Sequence, residues 1–312
     1  MKESMKVLVT GADGCVGGAI AEQLRSSGYE VHGLVYGRDP IDAQESRLDL
    51  RDPAALSTLQ AGPFDVVFHA AANVDPTIPA KAMFDINLGG TINVLRWAKQ
   101  HGCSHFVQIS SVSVYGNKAR GSNRTEASTA RSRRVGLPYS RSKAAAEIEV
   151  EQSGIPYTIL RLPMVIGKGD ALASPTVIDA IRDGSFFMAG SGNKLCSVMT
   201  VPNIGPFAEH VLRRGPSGCA LNFADHHVSW QEIAQKYADE MATELPSKRF
   251  SWPKGFLSGR ATQWLLLWSC SKSGGHFPTD ELEFHLGPMR TVRWQRAVAD
   301  AVSNYRNSAS SS

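Results

Sequence analysis

The segment Val7-Leu8-Val9-Thr10-Gly11-Ala12-Asp13-Gly14-Cys15-Val16-Gly17 decides the fold. It opens with a short apolar run typical of a buried parallel strand, and the residues from Ala19 to Ser26 predict a helix that Gly28 closes. Between strand and helix, glycines let the backbone approach a pyrophosphate, while free N–H groups and the helix dipole attract phosphates. The sequence therefore predicts a dinucleotide site that uses Gly11, Gly14, Cys15, Val16 and Gly17. The alternative is a glycine-rich turn without a ligand.

The end of the second predicted strand, Glu30 to Val35, bears on which dinucleotide binds. An acidic residue here would bind the ribose 2′-hydroxyl of NAD, whereas a nearby Arg suits the 2′-phosphate of NADP. The strand ends in Val35 and Tyr36, and Arg38 follows. This pattern favours NADP over NAD, although Arg38 could instead be a solvated loop residue that Asp39 screens.

Strands and helices alternate through the first half of the chain. Further strands are predicted at 47–50, 65–68, 105–109 and 157–160. The alternation predicts an α/β fold with a doubly wound parallel sheet of the Rossmann type. Ala70 and Ala71 follow the fourth strand, and their small side chains leave room for a flat ligand over the sheet edge.

Beyond Gly167 the alternation stops, which predicts a second unit. We predict a dinucleotide-binding Rossmann domain over residues 1–168, to which residues 195–230 return. Residues 169–194 and 231–306 would form a smaller, mainly helical C-terminal substrate lobe, and residues 307–312 a disordered tail.

Composition excludes several classes of protein. The chain is 42% hydrophobic and 20% charged, and its net charge of +4 is too mild for a nucleic-acid binder. Its five cysteines are far apart and form no C-x-x-C pair, which argues against a disulfide framework or a metal site. With no signal-peptide pattern and no apolar run of about 18 residues, we expect a cytoplasmic protein without a membrane span.

Tyr139 and Lys143 lie four residues apart at the start of a predicted helix. Side chains at this spacing share a helix face, so both can point into one cavity. A Lys charge beside a phenol favours the phenolate. Such a pair can donate and accept the proton in a carbonyl–alcohol interconversion.

Together these motifs resemble the extended short-chain dehydrogenases/reductases of the NAD(P)-dependent epimerase/dehydratase superfamily. The resemblance rests on segments that occur in the family's order and spacing: Thr10–Gly17, Asp49–Leu50, His69–Ala72, Asn87–Thr91, Ser110–Gly116, Tyr139–Lys143 and Arg161–Gly167.

The resemblance implies catalytic roles for four residues. Tyr139 would exchange a proton with the substrate oxygen, and Lys143 would lower the pKa of that phenol and hold the nicotinamide ribose. Ser111 would hydrogen-bond the substrate carbonyl, although Ser110 and Ser113 compete for this role. Asn87 would support the Lys143 side of the proton relay, or could simply cap its helix.

The resemblance also implies contacts to the dinucleotide. Asp49 and Leu50 would flank the adenine, and Pro163 would lie near the nicotinamide carboxamide. Val165 completes the predicted cofactor contacts.

Members of the family catalyse hydride transfer, epimerisation or dehydration. The residues Val112-Ser113 bear on which of these reactions this chain can catalyse. Relatives that dehydrate nucleotide sugars carry an Asp-Glu pair there, so dehydration is not expected. The segment from Phe256 to Trp268, which includes the apolar cluster Trp264–Trp268, and the following Phe277-Pro278-Thr279 resemble the 3β-hydroxysteroid dehydrogenase and dihydroflavonol reductase branches. The alternative for this segment is ordinary core packing or a dimer contact. The resemblance predicts an NADP(H)-dependent reductase or dehydrogenase acting on a ketone or secondary alcohol of a largely apolar small molecule, of an aromatic, polyketide or steroid type.

Two other functions stay open. One is a nucleotide-sugar 4-epimerase or reductase with tightly bound NAD, and the other is a dinucleotide-sensing protein. The basic loop 116–138 is either a solvated surface or a site for a phosphate-bearing substrate or an acyl carrier. We expect a homodimer.

Overall fold

The computed structural model describes residues 5–59, 61–116, 126, 137–188, 191–246, 277–287 and 291–310. The strands are Lys6–Thr10 (β1), Glu30–Val35 (β2), Glu45–Arg47 (β3), Val66–His69 (β4), His105–Ser111 (β5), Tyr157–Leu162 (β6), Met164–Ile166 (β7), Leu195–Thr200 (β8), Ala220–Asn222 (β9) and His226–Ser229 (β10). The α-helices are Cys15–Ser26 (α1), Ala80–Phe84 (α2), Gly90–Gln100 (α3), Pro138–Gln152 (α4), Ala173–Arg182 (α5), Val201–Arg214 (α6), Trp230–Glu240 (α7), Asp280–Leu286 (α8) and Trp294–Ser310 (α9).

Seven strands form one sheet in the order β3-β2-β1-β4-β5-β6-β9. Every neighbouring pair in it is parallel. The strands are apolar because helices cover both faces of a parallel sheet, and Val7, Leu8 and Val9 are fully buried. The predicted doubly wound sheet is confirmed.

Two apolar layers lie against this sheet. One layer contains Ile20 and Leu24 of α1 together with Ile204 and Phe207 of α6. The other layer contains buried residues of α3 and α4, such as Val94, Ala98 and Val150. Because all seven strands are parallel, their carboxyl ends lie at one edge of the sheet. Open α/β sheets bind ligands at this edge.

A second, three-stranded sheet has the order β10-β8-β7. Strand β7 pairs parallel with β8, and β10 pairs antiparallel with β8. Pro163 separates β7 from β6, and a proline cannot donate a ladder hydrogen bond. Helices α5, α7 and α9 pack against this sheet around Val177, Phe186, Trp230 and Val298.

Residues 195–230 are therefore divided between the two units. Helix α6 packs on α1 and β9 extends the large sheet, whereas β8 and β10 belong to the small sheet. Helix α9 runs through Ser310, so it extends into the segment that the sequence predicted as a disordered tail.

Two predicted features lie outside the described residues. They are the Trp264–Trp268 cluster and the basic side chains of the 116–138 loop. Across the described ranges, no helix combines the length and the hydropathy needed to cross a bilayer.

Candidate active site

The glycine turn between β1 and α1 has the close packing that its sequence predicts. Gly11 has a φ of +69°, and a Cβ there would lie 2.8 Å from the backbone of Ala71. A Cβ on Gly17 would lie 2.2 Å from the Gly11 carbonyl oxygen, so only glycine lets the helix begin this close to the turn. Helix α1 starts after Gly14 with no side-chain cap. Its first N–H groups are therefore suited to an anion such as a pyrophosphate.

Cys15 and Val16 occupy the first turn of α1. Burial, with the Asp170 charge second, raises the pKa of the Cys15 thiol to about 12, so the group is a neutral thiol at physiological pH. Its Sγ lies 3.5 Å from the Lys168 carbonyl oxygen, which brings the segment after β7 next to the phosphate turn. The Val16 side chain packs against the core.

His69 fixes the loop beside the glycine turn. Its Nδ1 lies 2.8 Å from the Thr10 hydroxyl and its Nε2 lies 3.0 Å from the Thr91 hydroxyl. Burial, with the Lys143 charge second, lowers the pKa of His69 to about 3, so the ring is neutral. The Thr10 carbonyl and hydroxyl accept the N–H groups of Ala70 and Ala71 at 3.2 and 3.1 Å. The two predicted cofactor-contacting alanines are thus held against β1.

Beyond β2, Asp13 ties the phosphate turn to the next turn of the chain. Its Oδ2 accepts the N–H groups of Tyr36 and Gly37 at 3.0 and 2.6 Å. Arg38 follows, and its guanidinium forms a two-point ion pair with Glu45 at 2.6 and 2.9 Å. Arg38, which the sequence predicted to bind the 2′-phosphate, therefore already has a carboxylate partner.

The predicted adenine contacts, Asp49 and Leu50, lie near this turn. Asp49 accepts hydrogen bonds from the Arg51 guanidinium at 2.6–3.0 Å, and this contact holds the pKa of Asp49 below its usual range. Arg51 also donates to the Tyr36 hydroxyl at 3.1 Å. The Leu50 side chain packs partly into the core near Gly90.

Ser111 and Tyr139 meet at the carboxyl edge of the sheet. Ser111 is the last residue of β5, and Tyr139 follows Pro138 at the first turn of α4, a position that proline favours. The two side chains form a hydrogen bond that lowers the pKa of Tyr139, but burial dominates and raises it to about 12. Tyr139 is therefore a protonated donor at physiological pH.

The competing serines have different environments. Ser110 is buried and donates to Glu147 Oε1 at 2.6 Å. Ser113 donates its backbone N–H to Ser111 Oγ at 3.2 Å, and its own Oγ is buried without a hydrogen-bond partner in the described part of the chain. Of the three, Ser111 is the serine that contacts Tyr139.

Lys143 lies one helical turn after Tyr139 and is 3% exposed. Burial lowers the pKa of its ammonium group to about 8, and the charge of Glu147 opposes this shift. Its Nζ donates to the Ile109 carbonyl oxygen at 2.5 Å. The described contacts show Lys143 bonded to β5, and its predicted action on the Tyr139 pKa stays a prediction.

Asn87 lies in a π-helical turn, Asp85–Gly89, between α2 and α3. Its Nδ2 donates to the Ser142 hydroxyl and to the Asn73 carbonyl, both at 3.0 Å. Its Oδ1 accepts the Asn73 N–H at 2.8 Å. Asn87 thus contacts the residue before Lys143 and braces α4 against the loop after β4.

The nicotinamide end of the predicted site lies where β6 passes into β7. Pro163 joins the two strands, and Val165 of β7 pairs with Met199 of β8 and packs partly against the core. Both residues follow the carboxyl end of β6, on the same sheet edge as Ser111.

A buried ion pair that the sequence did not predict lies beneath this site. Arg161 of β6 donates to both carboxylate oxygens of Glu147 at 2.9 and 2.8 Å, and to the Tyr115 hydroxyl at 3.0 Å. The Arg161 and Glu147 side chains are 2% and 0% exposed. Glu147 is four residues after Lys143, and that spacing was the signal that could have placed it on the catalytic face of α4.

Within the described ranges, no set of three or more His, Cys, Asp or Glu side chains is arranged to hold a metal ion.

Comparisons with known proteins identify a family and several relatives. The model of the NAD dependent epimerase/dehydratase family matches residues 7–222. An undecaprenol-linked N-acetylglucosamine 4-epimerase of Escherichia coli O157:H7 is 25% identical over 81% of this chain and 77% of its own length. A 2-alkyl-3-oxoalkanoate reductase of Stenotrophomonas maltophilia is 28% identical over 64% of this chain and 62% of its own.

A solved structure shares the fold. The Bordetella bronchiseptica enzyme WbmH in complex with NAD⁺ superposes with a TM-score of 0.78, covering 98% of this chain and 99% of its own, at 21% identity.

Proposed function

Because this chain belongs to the NAD dependent epimerase/dehydratase family and is an enzyme of that NAD(P)-dependent group, we propose that it interconverts a ketone and a secondary alcohol. The substrate would be a largely apolar small molecule, and the cofactor NADP(H). The observation that carries this proposal is the hydrogen-bonded pair of Ser111 and a protonated Tyr139 at the sheet edge beside the glycine turn.

The residues present fit a dinucleotide. The uncapped start of α1 offers N–H groups to the pyrophosphate, and Ala70 and Ala71 leave space beside it. The bound nicotinamide would supply the hydride that reduces the carbonyl carbon, or accept it in the reverse direction. Ser111 and Tyr139 would both donate hydrogen bonds to the substrate oxygen, where negative charge develops.

Tyr139 would complete reduction by giving its phenolic proton to that oxygen. The resulting phenolate would be stabilised by a nearby cation, and Lys143, one helical turn away, is the available one. Lys143 has a pKa of about 8, so it is largely protonated at neutral pH. Asn87 would act by holding α4, since its amide bonds to Ser142.

Two observations support ketone chemistry. Val112 and Ser113 stand where an acid–base pair would be needed to remove water, which argues against dehydration. The relative from Stenotrophomonas maltophilia is named a 2-alkyl-3-oxoalkanoate reductase, a name that describes a reductase of an oxo compound. An apolar substrate also suits the Trp264–Trp268 cluster, which lies outside the described residues.

The cofactor proposal rests on the turn after β2. The strand ends without an acidic residue, and Arg38 lies just beyond it. Its Nη atoms contact Glu45 and the Asp39 carbonyl, and in the described part of the chain its Nε–H has no partner. Arg38 therefore retains donors for a 2′-phosphate.

A nucleotide-sugar or lipid-linked sugar 4-epimerase is the second candidate. The similarity to the Escherichia coli O157:H7 epimerase, which extends over 81% of this chain, favours it. An epimerase returns the hydride to the same substrate and keeps its cofactor through the cycle. A tightly held NAD, released when the purified protein is denatured, would support this candidate.

One experiment separates the two functions. Purified protein is assayed for NADPH consumption with a panel of hydrophobic ketones, and in parallel for conversion of UDP- and dTDP-sugars without added cofactor. We expect consumption of NADPH that depends on the ketone. Conversion of a sugar nucleotide with no ketone-dependent consumption would overturn the proposal. Light scattering on the same preparation tests the expected homodimer.

A further inference from the structure

Arg38, the proposed contact for the 2′-phosphate, is held by an acidic residue on the neighbouring strand. Glu45 of β3 accepts Arg38 Nη1 at 2.6 Å and Nη2 at 2.9 Å, and it also accepts the Ile41 N–H at 3.1 Å. The Glu45 side chain is 2% exposed, whereas that of Arg38 is 36% exposed. A two-point pair of this kind fixes the plane of the guanidinium as well as its position.

The position of this pair relative to the phosphate turn is fixed by the backbone. Glu45 is opposite Gly33 in the β2–β3 ladder, and Asp13 of the phosphate turn accepts the two N–H groups just before Arg38. In an open α/β sheet, the adenosine ribose lies at this end of β2. The Arg38–Glu45 pair therefore borders the place where a 2′-phosphate would lie.

Glu45 changes the charge that a 2′-phosphate would meet. The contact raises the pKa of Arg38 and holds the pKa of Glu45 below its usual range, so both groups are ionised at physiological pH. Their charges cancel in sum. The donors of Arg38 that remain can still bind a phosphate, but the Glu45 carboxylate beside them would repel it.

We propose that Glu45 is a specificity-determining residue for the cofactor: by pairing with Arg38 it restrains the affinity for the 2′-phosphate, so that the chain accepts NAD as well as NADP. This inference rests on the proposed function, since it concerns the same dinucleotide. The role of Glu45 adds one prediction to the proposed function: removing the Glu45 charge should make the site more selective for NADP.

The test measures binding of two small ligands by titration calorimetry, without any turnover. The ligands are adenosine 2′,5′-bisphosphate and adenosine 5′-diphosphate, and only the first carries a 2′-phosphate. In Glu45→Gln, which keeps the size and one acceptor of the side chain, we expect the 2′-phosphate ligand to bind about five- to tenfold more tightly, from the loss of one nearby negative charge. Affinity for adenosine 5′-diphosphate should change less than about twofold.

Three further variants define the cause. Arg38→Ala in the Glu45→Gln background should abolish the gain, because the gain acts through Arg38. Glu30→Gln, which removes a carboxylate from the other end of β2, should leave both affinities unchanged. Glu45→Met removes the same charge without an amide, and it should reproduce the gain if the Gln side chain disturbs the turn.

The outcomes separate this inference from the proposed function. An unchanged or weakened affinity of Glu45→Gln and Glu45→Met for the 2′-phosphate ligand, or a gain that survives Arg38→Ala, would overturn the role of Glu45 alone. Failure of the unaltered chain to bind either ligand would instead contradict the dinucleotide site, and with it the proposed function.

Discussion

Ser110 and Ser111 are chain neighbours whose side chains lie in different surroundings. Ser110 donates to Glu147 in the middle of α4, whereas Ser111, the last residue of β5, contacts Tyr139 at the start of the same helix. The family resemblance favoured Ser111 and left Ser110 and Ser113 as competitors, because the partners of these serines depend on long-range packing against α4. Ser113 lies close to Ser111 and remains its competitor.

Substitution of the two serines tests this distinction. Ser111→Ala should lower kcat about a hundredfold or more, because it removes a donor to the developing oxyanion. Ser113→Ala is the matched control and should lower kcat less than about tenfold. Steady-state kinetics with the best ketone provide the measurement, and the reverse order of effects would assign the role to Ser113.

We expect His69 to make the stability of the fold depend on pH. Its pKa of about 3 in the folded chain lies below the ordinary histidine value of 6.5, so between these values the unfolded chain binds a proton that the folded chain does not. The free energy of unfolding that depends on neutral His69 is therefore fully present above pH 6.5, and it is lost as the pH drops towards 3. At pH 4 the loss should be about 3 kcal/mol.

Urea unfolding at pH 7 and pH 4 measures this loss. In His69→Gln, the difference between the two pH values should shrink by about that amount, since Gln does not titrate. A variant with the same pH dependence as the unaltered chain would show that His69 is not the titrating group.

At the scale of elements, α4 carries three residues of the site on one face. Tyr139, Lys143 and Glu147 follow one another at intervals of four. The Tyr–Lys spacing was recognisable in the sequence, but Glu147 belongs to an Ala- and Glu-rich run that is typical of an exposed helix. Only the long-range pairing with Arg161 of β6 shows that this carboxylate is buried.

The buried pair predicts a large cost when one partner is lost. Arg161→Met leaves the Glu147 charge unpaired, which should lower the free energy of unfolding by about 3–5 kcal/mol. Replacing both residues, as in Glu147→Leu with Arg161→Met, should recover most of that loss. Urea unfolding of the single and double variants checks this.

The matched control for the ion pair is an exposed one. Arg182, whose side chain is 59% exposed, forms an ion pair with Asp179. Arg182→Met breaks this pair and should lower the free energy of unfolding by less than about 1 kcal/mol. Equal costs for Arg161→Met and Arg182→Met would contradict the structural role of the buried pair.

The close packing of Gly17 at the start of α1 can also be tested by substitution. Gly17→Ala would place a Cβ 2.2 Å from the Gly11 carbonyl oxygen, so the turn has to move. We expect binding of adenosine 5′-diphosphate to weaken at least about tenfold in titration calorimetry. Gly89→Ala, whose Cβ would meet its nearest atom at 3.9 Å, should fold and bind normally.

At the scale of the whole molecule, local patterns predicted the large sheet well. Apolar runs separated by helices predict parallel strands, and the observed order β3-β2-β1-β4-β5-β6-β9 is a doubly wound one. The three-stranded sheet was not predicted as such. Strands β7 and β10 have three and four residues, and their pairing with β8 depends on contacts distant in sequence.

For the candidate site, the position of the motif residues in the sheet followed from the sequence, whereas their roles stay predictions. Motif residues at the carboxyl ends of β1, β4, β5 and β6 gather at one edge because parallel strands end together. The partners of these residues were not predictable, since the Glu45 partner of Arg38 and the Ile109 partner of Lys143 come from neighbouring strands.

Turnover of the Tyr139→Phe variant tests the central claim most directly. The unaltered protein and the variant are compared for NADPH consumption with the ketone that performs best in the panel, and for NADPH binding by calorimetry. We expect Tyr139→Phe to lose at least about a hundredfold in turnover with NADPH binding nearly kept, because the variant lacks only the proton donor. Unchanged ketone-dependent consumption of NADPH by Tyr139→Phe would contradict this expectation.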